Sequence, residues 1–319
     1  PGSGSLQDFI DASVTKIPKN LNSFLKPYQF ITPIYRGNYD LLERIAYEYC
    51  EDAAKNGVAY LEIRYNPHKC LGEDAYKKLG FEGLCEVIKR ISQGLNRGNQ
   101  DFNIIVKTLL TAYEGAKFGD NYEVLKLCQK YYDLGLVGLD LCTMQPEDGF
   151  VEEAPVTEDL LRIFKEASQT KVHRTIHAGE ASGASAIERA VYKLGAERVG
   201  HGYHVVRDEK LFSKCLEDDV HFECCPYSSI LTGAVKEGGP THPIIRFAED
   251  NANFSLNSDD PTLTGHSLEH DYNLVRTWGM QDYHFAAANI NAAKSSFLPD
   301  GEKETLVKMI SQSYGKENS

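Results

Sequence analysis

The sequence predicts an α/β fold of consecutive strand–helix units, with a closed parallel barrel favoured over an open doubly wound sheet. Three observations predict it. Short apolar runs rich in β-branched residues recur seven times, and their hydrophobicity is continuous rather than alternating. Continuous runs suit strands buried on both faces. Between them lie longer stretches with apolar residues at i, i+3 and i+4, the period of an amphipathic helix. Finally, no Pro/Gly-rich linker, internal repeat or low-complexity tract divides the 319 residues. Residues 1–319 therefore read as one large domain, a length that barrels of strand–helix units commonly reach.

The elements follow in order. A helix over Tyr39–Lys55 carries Leu41, Leu42, Ile45, Ala46 and Tyr49 on one face. Strands are expected at Val58–Tyr65, Phe102–Leu110, Leu136–Cys142, Val172–His177, Arg198–His201, Val220–Cys225 and Ala252–Asn257. Helices over Phe81–Leu95, Tyr122–Tyr132, Thr157–Ser168 and Ala184–Leu194 connect them. Thr157, following Pro155, supplies a capping hydroxyl at the start of its helix. Strand then helix throughout gives parallel pairing with right-handed crossovers.

Composition narrows the function. The chain is 42% hydrophobic and 25% charged, enough apolar residue for a packed core. With 34 basic against 46 acidic residues the formal charge is −12, which argues against a nucleic-acid partner. No apolar run approaches the ~20 residues of a membrane-spanning helix, so no membrane partner is expected. Eight scattered cysteines without a C-x-x-C pair read as reduced thiols in a cytoplasmic setting. The lack of a leader-like stretch at Pro1 agrees with that expectation. Asn253-Phe254-Ser255 has the form of a glycosylation sequon but falls in an expected strand. Oligomeric state is not legible.

In parallel α/β folds, function collects at the carboxyl ends of the strands. The fourth ends in His177-Ala178-Gly179-Glu180, and the fifth in His201-Gly202-Tyr203-His204. The sixth ends in Pro226-Tyr227-Ser228-Ser229, the seventh in Asn257-Ser258-Asp259-Asp260-Pro261, and the third carries Asp140. One strand-end histidine is commonly just a satisfied polar residue, and Asp-Asp-Pro is commonly a turn. Three such ends in one fold point instead to metal-assisted hydrolysis. Imidazole and carboxylate suit zinc, and a nearby carboxyl can move protons. His173, His221, His242, His266 and His270 read as surface, loop or helix-cap histidines.

These residues stand in longer segments that resemble the adenosine deaminase family. They are YLEIRYNPH (Tyr60–His68), TIHAGE (Thr175–Glu180), GHGYH (Gly200–His204) and CPYSSILTGA (Cys225–Ala234). SLNSDDP (Ser255–Pro261) and NINAAKSSFLP (Asn289–Pro299) complete the set. The resemblance covers about Leu6 to Tyr314, and SSILTGA favours the adenosine branch over the AMP deaminases. It implies a TIM-type (β/α)8 barrel that converts adenosine, and 2′-deoxyadenosine, to inosine and ammonia in purine salvage. His177 and Asp259 would be Zn2+ ligands, Glu180 the proton donor to purine N1, and His201 the imidazole that orients the attacking hydroxide. Asp260 would hydrogen-bond purine N7, with Gly179 in the substrate site. Leu6 and Phe9 resemble apolar residues of a helix that gates the pocket.

Two departures stand out. The family opens on a strand ending in His-x-His, both of whose imidazoles bind zinc, and this sequence has no His-x-His. The first βα unit is therefore expected to be absent from the chain, leaving two ligands of four. After the third strand Thr143 takes the place of a family glycine that approaches purine N3. Two readings follow: a zinc-dependent deaminase, or a catalytically silent relative that binds a nucleoside or a partner protein.

Overall fold

A computed structural model describes residues 4–142, 150–152, 156–236 and 238–315. The chain opens with α1 (Leu6–Ser13), α2 (Leu21–Phe24), α3 (Tyr28–Tyr35) and α4 (Tyr39–Lys55). Then come β1 (Tyr60–Tyr65), α5 (Pro67–Leu71), α6 (Glu73–Phe102), β2 (Ile105–Tyr113), α7 (Phe118–Lys130), β3 (Leu136–Cys142) and α8 (Glu158–Ser168). Next are β4 (His173–Ala178), α9 (Ala184–Glu188), β5 (Arg198–His201), α10 (Glu209–Glu217), β6 (His221–Cys224), α11 (Pro226–Leu231) and α12 (Pro243–Glu249). The chain closes with β7 (Phe254–Leu256), α13 (Pro261–Thr264), α14 (Leu268–Thr277), α15 (Asp282–Lys294) and α16 (Asp300–Gly315). Among the described residues all seven expected strands form, and none of the helices is long and apolar enough to cross a membrane.

Chain contacts define two compact units, one of residues 30–144 and 157–175, the other of 1–29, 145–156 and 176–319. In the first, β1, β2 and β3 pair in parallel, with Tyr60 opposite Ile105 and Leu110 opposite Leu139. Every residue of β1 is half-buried, whereas six of the seven in β3 are buried. α6 extends well beyond the expected Phe81–Leu95, because the sequence pattern resumes only after a bend at Gly80, whose φ is +54°. Its glycines press it onto α4. A Cβ at Gly94 would lie 2.1 Å from the Glu43 carbonyl oxygen, and one at Gly98 would lie 2.5 Å from Cys50 Cβ. Gly94→Ala is accordingly expected to lower unfolding free energy by about 1–3 kcal/mol, the cost of overpacking, as read in a urea titration. An unchanged midpoint would mean that the helices separate freely.

In the second unit, β5, β6 and β7 pair in parallel, with Arg198 opposite His221 and Phe222 opposite Phe254. All three strands are buried throughout. Phe222 packs on Phe247 (ring centroids 4.9 Å), which stacks on Phe212 (5.5 Å). Gly202, at φ +73°, leaves room for Phe222: a Cβ there would come within 2.2 Å of Cδ1. The eight cysteines are free thiols, and all but Cys142 are buried.

Two histidines assigned to the surface or to caps are core residues. His221, 3% exposed, sits between Asn253 Oδ1 (2.6 Å) and Ser255 Oγ (3.0 Å). His242 does cap α12, but it is 1% exposed, stacked on Trp278 and edge-on to Tyr203. Its Nδ1 accepts the Ile244 N–H (3.1 Å), so Nε2 carries the proton toward Ser229 Oγ (3.0 Å). That neutral tautomer is fully satisfied, and burial pushes the pKa down to about 3. The unfolded chain protonates this ring near pH 6.5 while the folded chain does not, so stability falls as pH drops from 6.5 toward 3. Between pH 7.5 and 5 the expected loss is about 2 kcal/mol. His242→Asn should flatten that part of the stability–pH curve; an unchanged slope would assign the loss to other groups.

Candidate active site

The chemistry-bearing residues of the second unit stand just beyond the ends of β4, β5, β6 and β7. His177 is the penultimate residue of β4 and lies against β5, where a Cβ at Gly200 would meet its Cα and Cγ at 3.3 Å. Glycine at 200 therefore seats the His177 ring. The chain then turns at Gly179, φ +72°, whose N–H is held by Ser182 Oγ (3.0 Å) and whose carbonyl accepts from His204 N (3.0 Å). This turn carries Glu180, 6% exposed, inward.

His204 pins the same turn. Its Nδ1 lies 2.8 Å from the Ser182 carbonyl and its Nε2 2.8 Å from the Ala234 carbonyl, so the ring bridges the segments after β4 and β6. Burial pushes its pKa down, and the two carbonyl acceptors oppose that shift.

His201 and Asp259 share a rare backbone state. Both have left-handed φ, +66° and +57°, His201 as the last residue of β5 and Asp259 three residues beyond β7. Such conformations cost side chains of this kind on the order of 1 kcal/mol or more and persist where surroundings impose them, commonly at functional sites. His201 Nε2 stands 3.5 Å from Glu180 Oε2 and 3.9 Å from Asp259 Oδ2, and its ring centroid is 5.4 Å from that of His177. Among the described residues, neither Glu180 Oε1 nor His201 Nδ1 has a hydrogen-bond partner, although both are buried. An orphaned buried polar atom costs about 1–3 kcal/mol, so two on neighbouring side chains point to a place built to receive a ligand.

The donor set fits a borderline divalent metal. Ligand atoms of His201, Cys225 and Asp259 lie within 4.8 Å of one another, with His177 adjoining His201. Imidazole, carboxylate and thiol are the groups that zinc prefers.

Several contacts here escape sequence reading. Ser228 donates to Asp259 Oδ2 (2.7 Å), fixing that carboxylate from the segment after β6. Asp271 on α14, 3% exposed, accepts the Tyr227 N–H (2.9 Å). Burial, and to a lesser degree the Asp259 charge, pushes its carboxyl up to about 7. Tyr28 reaches Asp260 Oδ1 with its hydroxyl across 232 positions of sequence. Burial and the neighbouring Asp259 push Asp260 up to about 7, while the Tyr28 hydroxyl and His177 act against the rise. Ser228 had a visible signal, a hydroxyl in a strand-end motif; Tyr28 had none.

Leu6 is 76% exposed and Phe9 half-buried, both on α1, whose start is capped by the reciprocal Ser5–Asp8 pair. Asp140, fully buried in the first unit, faces Arg64 (3.5 Å) and Thr111 Oγ1 (3.2 Å). Thr143 lies outside the described residues.

Residues 4–313 match the family model for adenosine deaminase. The chain belongs to the adenosine deaminase family. It is thus a member of a hydrolase family. Adenosine deaminase of Xenopus laevis is 39% identical over 306 residues, 94% of this chain and 84% of that one. The Bos taurus enzyme is 37% identical (93% and 82%), and that of Clostridium perfringens is 31% identical (91% and 84%). Among solved structures, an adenine deaminase from Arthrobacter aurescens superposes with TM-score 0.81 at 22% identity, covering 99% of this chain and 90% of that one. An amidohydrolase from Burkhoderia ambifaria with bound Zn gives 0.76 at 17% identity, covering 99% and 97%. These two likenesses establish the fold class: a TIM-type α/β barrel fold, represented among the described residues by seven strands.

Proposed function

We propose that this chain is a zinc-dependent hydrolase that converts adenosine, and 2′-deoxyadenosine with it, to inosine and ammonia, a purine-salvage reaction. The observation that carries the reading is the buried Glu180–His201 pair, whose side chains approach at Oε2 and Nε2 (3.5 Å) while Glu180 Oε1 and His201 Nδ1 have no partner among the described residues. Family membership supplies the purine.

In this reading His177 and Asp259 hold the metal, with Ser228 fixing the Asp259 carboxylate. When bound, zinc supplies a Lewis acid that brings the pKa of water down to about 7. Glu180 delivers a proton to purine N1, which draws electrons from C6 and opens it to attack. His201, 3.5 Å from Glu180, orients the attacking oxygen and stabilises charge as it adds to C6. The C6–N bond then breaks as the amine takes up the proton of the added hydroxyl, so that ammonia leaves and C6 becomes the carbonyl of inosine. Asp260 engages N7 and so sets the ring in its plane. Gly179, Thr143, Leu6 and Phe9 are assigned to substrate contact.

The decisive measurement pairs metal analysis of the purified protein with absorbance-monitored conversion of adenosine. Zinc near one per chain together with turnover supports the proposal. Tight adenosine binding without zinc and without turnover would replace it by the silent-relative reading.

A further inference from the structure

We propose that Tyr28 is a positioning residue for the purine ring, acting through Asp260. The inference rests on the assignment of Asp260 to purine N7 above and deepens it.

Tyr28 is brought to the site by a segment tied down at several points. Thr15 N–H donates to the Leu263 carbonyl (2.8 Å) and Lys19 N–H to the Leu231 carbonyl (3.2 Å), lashing the stretch before α2 to α13 and to the end of α11. Two glycines allow the close approach. A Cβ at Gly265 would lie 2.9 Å from Val14 Cγ1, and one at Gly233 would lie 2.6 Å from the Lys19 carbonyl oxygen. Asn20 then caps α2 by accepting the Ser23 N–H (2.9 Å), and Phe24 is 1% exposed. Four residues on, the Tyr28 hydroxyl meets Asp260 Oδ1.

The chemistry follows from the carboxylate. An aspartate headgroup rotates in a broad, roughly two-fold well, so a single backbone anchor leaves its plane poorly defined. A phenol donating to one oxygen fixes that plane and leaves the other oxygen to carry the proton that purine N7, an acceptor only, requires. Oδ1 is then committed to Tyr28, and Oδ2 is the oxygen turned to the ligand.

The test uses two probes without a leaving group at C6, purine riboside and its 7-deaza analogue, which lacks the ring nitrogen that Asp260 is assigned to meet. Tyr28→Phe keeps the ring and removes only the hydroxyl. It should weaken purine riboside about ten-fold and leave the 7-deaza analogue unchanged. With adenosine, KM should rise by a similar factor while kcat stays within about two-fold. In a double-variant cycle with Asp260→Ala, the two losses should fail to add, because one acts through the other. Equal weakening of both probes, a loss confined to kcat, or additive losses would each overturn the role of Tyr28 while leaving the Asp260 assignment standing. Should the wild-type protein bind both probes equally, the Asp260–N7 assignment fails first, and the Tyr28 proposal falls with it.

Discussion

Glu180→Gln is expected to lower kcat for adenosine by about a thousand-fold, within the range that general acid catalysis contributes. The amide is isosteric with the carboxyl but has no proton to deliver to N1. Its oxygen and nitrogen can still face His201, so the turn from Gly179 to Ser182 should hold, kept by the Ser182 and His204 bonds. Metal content should stay at the wild-type level. Absorbance-monitored turnover and metal analysis on one preparation read both quantities. Full activity in Glu180→Gln would remove Glu180 from the mechanism. Loss of metal alongside activity would recast it as a ligand.

Asp259→Ala is expected to abolish metal binding and, with it, activity by at least about a thousand-fold, since a metal ion supplies several kcal/mol of stabilisation to such a reaction. Two effects add. One ligand disappears, and Ser228 loses the acceptor that held its hydroxyl at 2.7 Å. Alanine at φ +57° also carries a backbone penalty that aspartate tolerates better. Asp259→Asn separates the causes, because asparagine accepts left-handed φ and can still accept the Ser228 hydrogen bond. It should keep the wild-type melting temperature yet bind zinc weakly after dialysis. If the asparagine variant retains a full complement of zinc, Asp259 is not a ligand.

Much of this was legible in advance for a physical reason. Parallel strands buried on both faces write themselves as continuous apolar runs, so all seven appeared in the sequence near their final positions. Once strands are placed, the residues beyond their carboxyl ends are the candidates, and His177, Glu180, His201 and Asp259 follow from position alone. What the sequence hid depends on contacts between distant segments. Tyr28 looks like any half-buried aromatic until Asp260 is placed beside it. His221 and His242 read in the sequence as surface, loop or helix-cap histidines, and their burial was hidden because a polar residue in a buried place is visible only through its partners, here Asn253 and Ser255 for one, Ile244 and Ser229 for the other. The length of α6 was hidden differently. Gly80 breaks the hydrophobic period locally, and a bend reads in sequence as an end.

The left-handed backbone at His201 and Asp259 bears on how this mouth can be altered. Only glycine, asparagine and aspartate visit that conformation readily, and β-branched side chains are nearly barred from it. Two positions that carry the chemistry thus have a small alphabet. Asp259 has cheap neighbours in Asn and Gly, whereas His201 can leave histidine without backbone strain only for residues that cannot serve as an imidazole. A combinatorial library at these two sites should therefore be drawn from Gly, Asn, Asp and His, and most fully randomised members would be lost to misfolding before any catalysis could be screened. New substrate scope is better sought at Tyr28 and Ser228, where φ imposes no such restriction.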